Sequence, residues 1–228
     1  MRPLGFKFPG VFTDVKGRRT LIYTKSLAPC KQVYGESLVQ AGGEEYREWN
    51  PNRSKLGAAI MKGISQLGIK EDDWVLYLGS STGTTISHVS DMIGKQGLVF
   101  GVDVAPRVLR ELVFLSEDRG NIAPILCDAG NVLELSKQVS QVDVVFMDVS
   151  QKNQAEIFIK NCLAFLKPGG FGLLALKARS VDVTKRPQEI FKMVRLELEK
   201  HLIVADYRDL EPFEEDHAFF VCKKPEGK

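Results

Sequence analysis

The chain has 228 residues, 44% hydrophobic and 26% charged, with a net charge of +2, a balance that fits a globular protein and excludes a fibrous or low-complexity one. No apolar run reaches membrane-span length, and Met1-Arg2-Pro3-Leu4-Gly5 lacks a signal-peptide core, so no membrane partner and a cytoplasmic location are expected. Cys30, Cys127, Cys162 and Cys222 stand alone, with no Cys–Cys or Cys–His spacing that suggests zinc, so no metal is expected and Cys127, Cys162 and Cys222 read as small buried hydrophobes. Residues 1–60 carry ten Lys and Arg against five Asp and Glu, leaving the remainder net negative; a basic N-terminal quarter is compatible with a nucleic-acid partner.

In chain order, residues 1–49 read as a small β-rich domain. Gly10-Val11-Phe12-Thr13, Thr20-Leu21-Ile22-Tyr23-Thr24 and Gln32-Val33-Tyr34 are short strand-like runs separated by turn residues. A second domain follows over 50–228. Asn50-Pro51 opens a helix, with Leu56, Ala59, Ile60, Ile64 and Leu67 on one face and Gly68 at its end. Arg53 and Lys55 lie near its first turn, where the helix dipole disfavours cations, so an anionic group is expected nearby.

From Trp74 the pattern alternates. Strand-like runs cover 74–78, 98–104, 122–127, 142–149, 171–177, 203–209 and 217–223; helix-like stretches cover 84–94, 106–119, 131–139, 153–166 and 187–201. Such alternation implies a doubly wound α/β sheet with right-handed crossovers. No helix separates the last two runs, so the final strand should return antiparallel at or near one sheet edge. Six parallel strands plus one antiparallel strand is the arrangement of a Rossmann-like class I methyltransferase sheet.

The first strand of this sheet runs into Gly79-Ser80-Ser81-Thr82-Gly83-Thr84-Thr85. Gly79 and Gly83 allow a sharp turn and a close ligand, and Thr84 and Thr85 open the next helix. The spacing is G-x-x-x-G, not the G-x-G-x-x-G of a dinucleotide site, and no Walker lysine follows Gly83. A ligand without phosphates, such as S-adenosyl-L-methionine, fits better. Ligands of open α/β sheets lie beyond the carboxyl ends of the strands. There the second strand ends in Asp103-Val104, suited to ribose hydroxyls, and the third in Asp128-Ala129, placed to meet an adenine amino group. The fourth ends in Asp148 and the fifth in Lys177, a charge pair expected to satisfy itself across the crevice. His217 begins the last strand; His88 and His201 read as structural.

These residues resemble fibrillarin, in particular the archaeal fibrillarin-like form. The likeness runs over essentially the whole chain. Its most specific piece is Tyr46-Arg47-Glu48-Trp49-Asn50-Pro51 with Arg53-Ser54-Lys55-Leu56. Others are Tyr34-Gly35-Glu36, Tyr77-Leu78-Gly79 with Gly83-Thr84-Thr85, Ser87-His88-Val89-Ser90-Asp91, Asp148-Val149-Ser150-Gln151, and Glu211-Pro212-Phe213 leading to Asp216-His217-Ala218, while Lys167-Pro168-Gly169-Gly170 before the fifth strand is typical of the Rossmann-like methyltransferase sheet.

The resemblance implies an S-adenosylmethionine-dependent ribose 2′-O-methyltransferase acting on rRNA and tRNA, as the catalytic subunit of a box C/D guide-RNA ribonucleoprotein. Its implied partners are a Nop-type scaffold protein, a kink-turn-binding ribosomal-type protein, the guide RNA and its target RNA. By position, Thr84 and Thr85 would hold the methionine end, Asp103 and Val104 the ribose, and Asp128 and Ala129 the adenine. Asp148 and Gln151 would line the transfer end, and Lys55, Asp148, Lys177 and His217 would form the catalytic set, with Asp216 the rival for the fourth place. The chain departs from the family's pattern in having no Gly/Arg-rich tail, Asp103 where Glu is usual, and Ser80-Ser81-Thr82 for Ala-Ala-Ser. None removes a needed chemical group. The competing readings are an O-methyltransferase for another substrate and a non-catalytic ribonucleoprotein subunit.

Overall fold

The computed structural model describes residues 1–17 and 19–226. The N-terminal sheet is antiparallel: β1 (Arg2–Pro3), β2 (Val11–Lys16), β3 (Arg19–Lys25), β4 (Leu38–Ala41) and β5 (Glu44–Glu48), in the order β1-β2-β3-β5-β4. The run Gln32-Val33-Tyr34 is not a strand. It is a loop wound round the buried Glu36 carboxylate, which accepts from the amides of Val33 at 3.1 Å and Tyr34 at 2.9 Å. A carboxylate so placed satisfies loop amides that a strand neighbour would otherwise take.

The expected long helix after Asn50 is two pieces. Asn50 caps a 3-10 turn over Pro51–Arg53, and Ser54, extended at φ −154°, breaks the helix and caps α1 (Lys55–Met61) through its hydroxyl. Gly63, at φ +72°, turns the chain out of the helix well before Gly68. Ile64 and Leu67 are buried as expected, from an irregular segment.

The second sheet follows β6 (Trp74–Leu78), α2 (Thr84–Ile93), β7 (Leu98–Asp103), α3 (Pro106–Asp118), β8 (Ile122–Leu126), α4 (Val132–Leu135), β9 (Val142–Met147), α5 (Gln154–Phe165), β10 (Leu166–Lys177), α6 (Ala178–Val181), α7 (Pro187–Leu198), β11 (Ile203–Asp209) and β12 (His217–Lys223). Its order is β11-β12-β10-β9-β6-β7-β8, with only β12 antiparallel, lying second from the edge between β11 and β10. β10 begins earlier than expected: Leu166 already pairs with Val142 before the Lys167–Gly170 irregularity.

Alternation along β6 divides the core. Leu76 and Leu78 face α4, α5 and α7, whereas Val75 and Tyr77 face α1, α2 and α3. Val11, Ile22 and Trp49 join the second cluster, so the N-terminal sheet shares its core with this face of the α/β sheet.

A polar cluster seals the same junction. The Arg47 guanidinium is fully buried and reaches Glu36 at 2.6 Å, Asp91 of α2 at 2.7 Å and the Ser87 hydroxyl at 2.9 Å. Arg119 meets the other Asp91 oxygen at 2.6 Å. The His88 ring stacks on Trp49 and sits 2.7 Å from both the Thr24 and Tyr34 hydroxyls. Burial, then the charges of Arg47 and Arg119, hold His88 well below the usual histidine range, so it is neutral. The structural reading of His88 holds.

Candidate active site

Strand order reverses at β6: the chain moves outward through β7 and β8, then returns to place β9 on the other flank of β6. Carboxyl ends diverge at such a switch point and leave a crevice. Here it is an open cleft of about 220 Å³. Gly79, Asp103, Val104, Asp128, Ala129, Asp148 and Gln151 all line it, as the strand-end argument expects. Ser81, Val102, Cys127, Val149 and Ser150 complete it.

Local bonding explains how these ends are held. Gly79 has φ +81°, and a Cβ there would lie 2.6 Å from the Asp148 carbonyl oxygen. Its lack of a side chain therefore serves the close approach of β6 and β9. The Asp148 amide donates to Leu78 O at 2.9 Å, extending the parallel pairing one step beyond β9. Asp103 accepts from the Ser81 amide at 3.1 Å and from the Ala105 amide at 3.0 Å, one bond per carboxylate oxygen. Each oxygen keeps acceptor capacity for a ligand. Asp128 accepts from the Gly130 amide at 2.7 Å, and the Ala129 carbonyl accepts from Asn161 at 2.9 Å.

The turn residues fall differently. Gly83 and Thr85 are buried, and Thr84 does not line the cleft. The Thr85 hydroxyl donates to Ser54 Oγ at 3.0 Å, tying α2 to the cap of α1. Only the backbone amides of this first turn are left without helical acceptors. Cys127 is half-buried at the end of β8 rather than a core residue, while Cys162 and Cys222 are buried as expected.

The charged groups beside the cleft regroup. The expected Asp148–Lys177 pair is not present: Asp148 Oδ2 instead accepts from Lys55 Nζ at 3.0 Å, both side chains being mostly buried. That carboxylate is the anion near the first turn of α1 expected from the placement of Lys55. Arg53 turns outward, over the Tyr34 ring and onto the Tyr34 carbonyl at 3.0 Å. Lys177, half-buried, makes no ion pair among the described residues. His217 is its register partner across β10 and β12. Burial depresses the His217 pKa, and Lys55 adds to that, although the Glu215 carbonyl at 2.6 Å opposes it. A neutral imidazole follows. Asp216 points elsewhere, its carboxylate accepting from Arg179 Nε at 2.9 Å, whereas His217 is near enough to Lys55 and Asp148 for both charges to act on its imidazole.

Sequence reasoning missed Gln154, the first residue of α5. It is fully buried, and its amide both donates to the Lys177 carbonyl and accepts from the Lys177 amide, each at 3.0 Å.

The donor set of the cleft defines its ligand. Three carboxylates, two serines and a glutamine alternate with Val102, Val104, Ala129 and Val149, and among the described residues no lysine or arginine lines it. Such a lining suits a ligand with hydroxyls, an amino-bearing ring and positive charge, and does not suit phosphates. S-adenosylmethionine fits that description.

Comparison with known proteins agrees. The fibrillarin family model matches residues 5–226. A fibrillarin-like rRNA/tRNA 2′-O-methyltransferase of Thermococcus sibiricus is 52% identical over 96% of this chain and 97% of its own. The Aeropyrum pernix fibrillarin structure with natively bound S-adenosyl-L-methionine superposes with a TM-score of 0.88, at 44% identity over 96% of each chain. A fibrillarin/Nop5p complex contains a chain with a TM-score of 0.82 and 39% identity, covering 90% of this chain and 94% of that one. Matched by the family model over residues 5–226 and by a relative 52% identical over 96% of its length, this chain belongs to the fibrillarin family.

Proposed function

We propose that this protein methylates ribose 2′-hydroxyls of rRNA and tRNA, using S-adenosylmethionine, as the catalytic subunit of a box C/D guide-RNA particle. The observation that supports the reading is the Lys55–Asp148 pair beside a cleft lined by Asp103, Asp128 and Asp148, with Lys177 and His217 in register on the neighbouring strands β10 and β12. A non-catalytic subunit would have no use for these groups together. A scaffold of Nop type is its protein partner, in keeping with the fibrillarin/Nop5p complex. A kink-turn-binding protein and a guide RNA complete the particle, and the guide selects the nucleotide.

S-adenosylmethionine supplies an electrophilic methyl group when bound. The chain does the rest. Asp103 would accept from the ribose hydroxyls of the cofactor, Asp128 and Ala129 would receive its adenine, and the first-turn amides of Thr84 and Thr85 would hold its carboxylate. Asp148 and Gln151 would line the reacting end. Holding oxygen and methyl in line can itself contribute roughly 7–11 kcal/mol. Lys55 is fixed by Asp148 and keeps that carboxylate neutralised. Lys177 acts at the 2′-hydroxyl oxygen, which must give up its proton as the new bond forms. Neutral His217 packs beside them and adds a hydrogen-bonding nitrogen without a charge.

The test is methyl transfer from labelled S-adenosylmethionine to guide-paired RNA, with and without the scaffold and kink-turn proteins. Label at the 2′-oxygen of the guide-selected nucleotide, only in the full assembly, is the expected result. Transfer to small molecules or protein instead would establish another O-methyltransferase, and no transfer would establish a non-catalytic subunit.

A further inference from the structure

We infer that Gln154 is a positioning residue for methyl transfer, acting by completing the sheet ladder at Lys177. The inference rests on the role of Lys177 proposed above.

β9 ends at Met147, opposite Leu174, so β10 runs three residues beyond its parallel neighbour. Backbone groups of successive strand residues point to opposite neighbours. The Ala178 amide points to β12, where it donates to Asp216 O at 2.9 Å. The N–H and C=O of Lys177 therefore point to the other side, where β9 has already turned away. Left alone, both groups would be half-buried without partners.

Gln154 fills that place. Its side-chain amide presents the same donor and acceptor as a strand peptide and meets both groups of Lys177 at 3.0 Å. Only an amide of this reach can do both. Its backbone belongs to α5, at the end of the connector that starts with Asp148. The two bonds thus lock the Cα of Lys177 to the segment that carries Asp148. Lys177 has no ion pair among the described residues to hold its ammonium, so its aim depends on how firmly that Cα is held. A residue misplaced by about an ångström can lose about a hundredfold in rate.

The experiment uses the assembled particle, labelled S-adenosylmethionine and guide-paired RNA under single turnover. Gln154→Met keeps length and volume and removes both bonds. The rate should fall by roughly 10- to 100-fold, with cofactor affinity within about twofold. In a Lys177→Ala background the same change should alter the residual rate by less than about twofold, because Gln154 acts only through Lys177. Hydrogen exchange of the unmodified protein gives a second measurement that needs no variant. The Lys177 amide should be protected, although no strand lies on the side that it faces. Full activity of Gln154→Met where Lys177→Ala is inactive would overturn the inference alone. So would an equal loss in the Lys177→Ala background, or an unprotected Lys177 amide. Full activity of Lys177→Ala would overturn the role of Lys177 itself, and this inference with it.

Discussion

Arg47→Met tests the polar junction between the N-terminal sheet and α2. The substitution keeps an unbranched apolar stem and removes a guanidinium that neutralises two buried carboxylates, Glu36 and Asp91. Breaking a buried pair by removing one partner costs about 3–5 kcal/mol. The surroundings decide where in that range this one falls. Asp91 retains Arg119 at 2.6 Å, the Thr24 hydroxyl at 2.8 Å and the Leu27 amide at 3.0 Å. Glu36 retains the amides of Val33 and Tyr34. The lower end, about 3 kcal/mol, is therefore expected. Against a total of about 5–15 kcal/mol this is a large fraction. Urea unfolding should show the loss as a lower midpoint at an unchanged slope. Lys137→Ala serves as control: it removes a surface pair with Glu134, and its curve should overlay that of the parent. If Arg47→Met stayed within about 1 kcal/mol of the parent, the junction would not be held by this charge network.

Two further expectations concern cofactor and pH. Asp103→Ala should weaken S-adenosylmethionine binding by roughly 1–3 kcal/mol in calorimetry, the usual loss for hydrogen bonds to a charged group; NAD should not bind either protein, and an unchanged affinity would place the ribose contact elsewhere. The pH dependence follows from His88, whose folded pKa lies well below 6.5. Below that pH the unfolded chain takes up a proton that the folded chain refuses, so stability falls with acid by up to about 1.4 kcal/mol per pH unit. Comparing the parent with His88→Gln isolates the effect. The parent's advantage in urea should shrink between about pH 7.5 and about pH 5.5, and an advantage that grew on acidification would mean that His88 is charged when buried.

The site was partly legible in the sequence because strand ends are. Asp103, Asp128 and Asp148 close apolar runs, and a doubly wound sheet brings such ends to one crevice whatever the loops do. The antiparallel return of β12 was legible for a similar reason, since no helix separates it from β11. What escaped were facts about relative position. Asp148 pairs with Lys55 rather than Lys177 because the fold brings the first residue of α1 to the end of β9, which no local pattern encodes. Gln154 was invisible because its role depends on β9 being shorter than β10. The place of Thr85 in the turn does not show that its hydroxyl is taken by Ser54, which leaves only its amide for a ligand. The N-terminal loop was misread because its order comes from the Glu36 carboxylate, not from β-propensity. The motifs Tyr34-Gly35-Glu36, Arg47 and Ser87–Asp91, far apart in the chain, meet at one buried junction.

The central claim is that Lys177 acts on the ribose hydroxyl, and Lys177→Ala and Lys177→Arg in the assembled particle test it most directly. Lys177→Ala should remove most methyl transfer while leaving cofactor affinity within a few fold, because ground-state contacts remain. Lys177→Arg keeps the charge but cannot supply a neutral base. Activity retained in Lys177→Arg assigns Lys177 to steadying the developing alkoxide; activity lost in both, with the parent's rate rising with pH as one group deprotonates, assigns it to removing the proton. Full activity in Lys177→Ala would contradict the account.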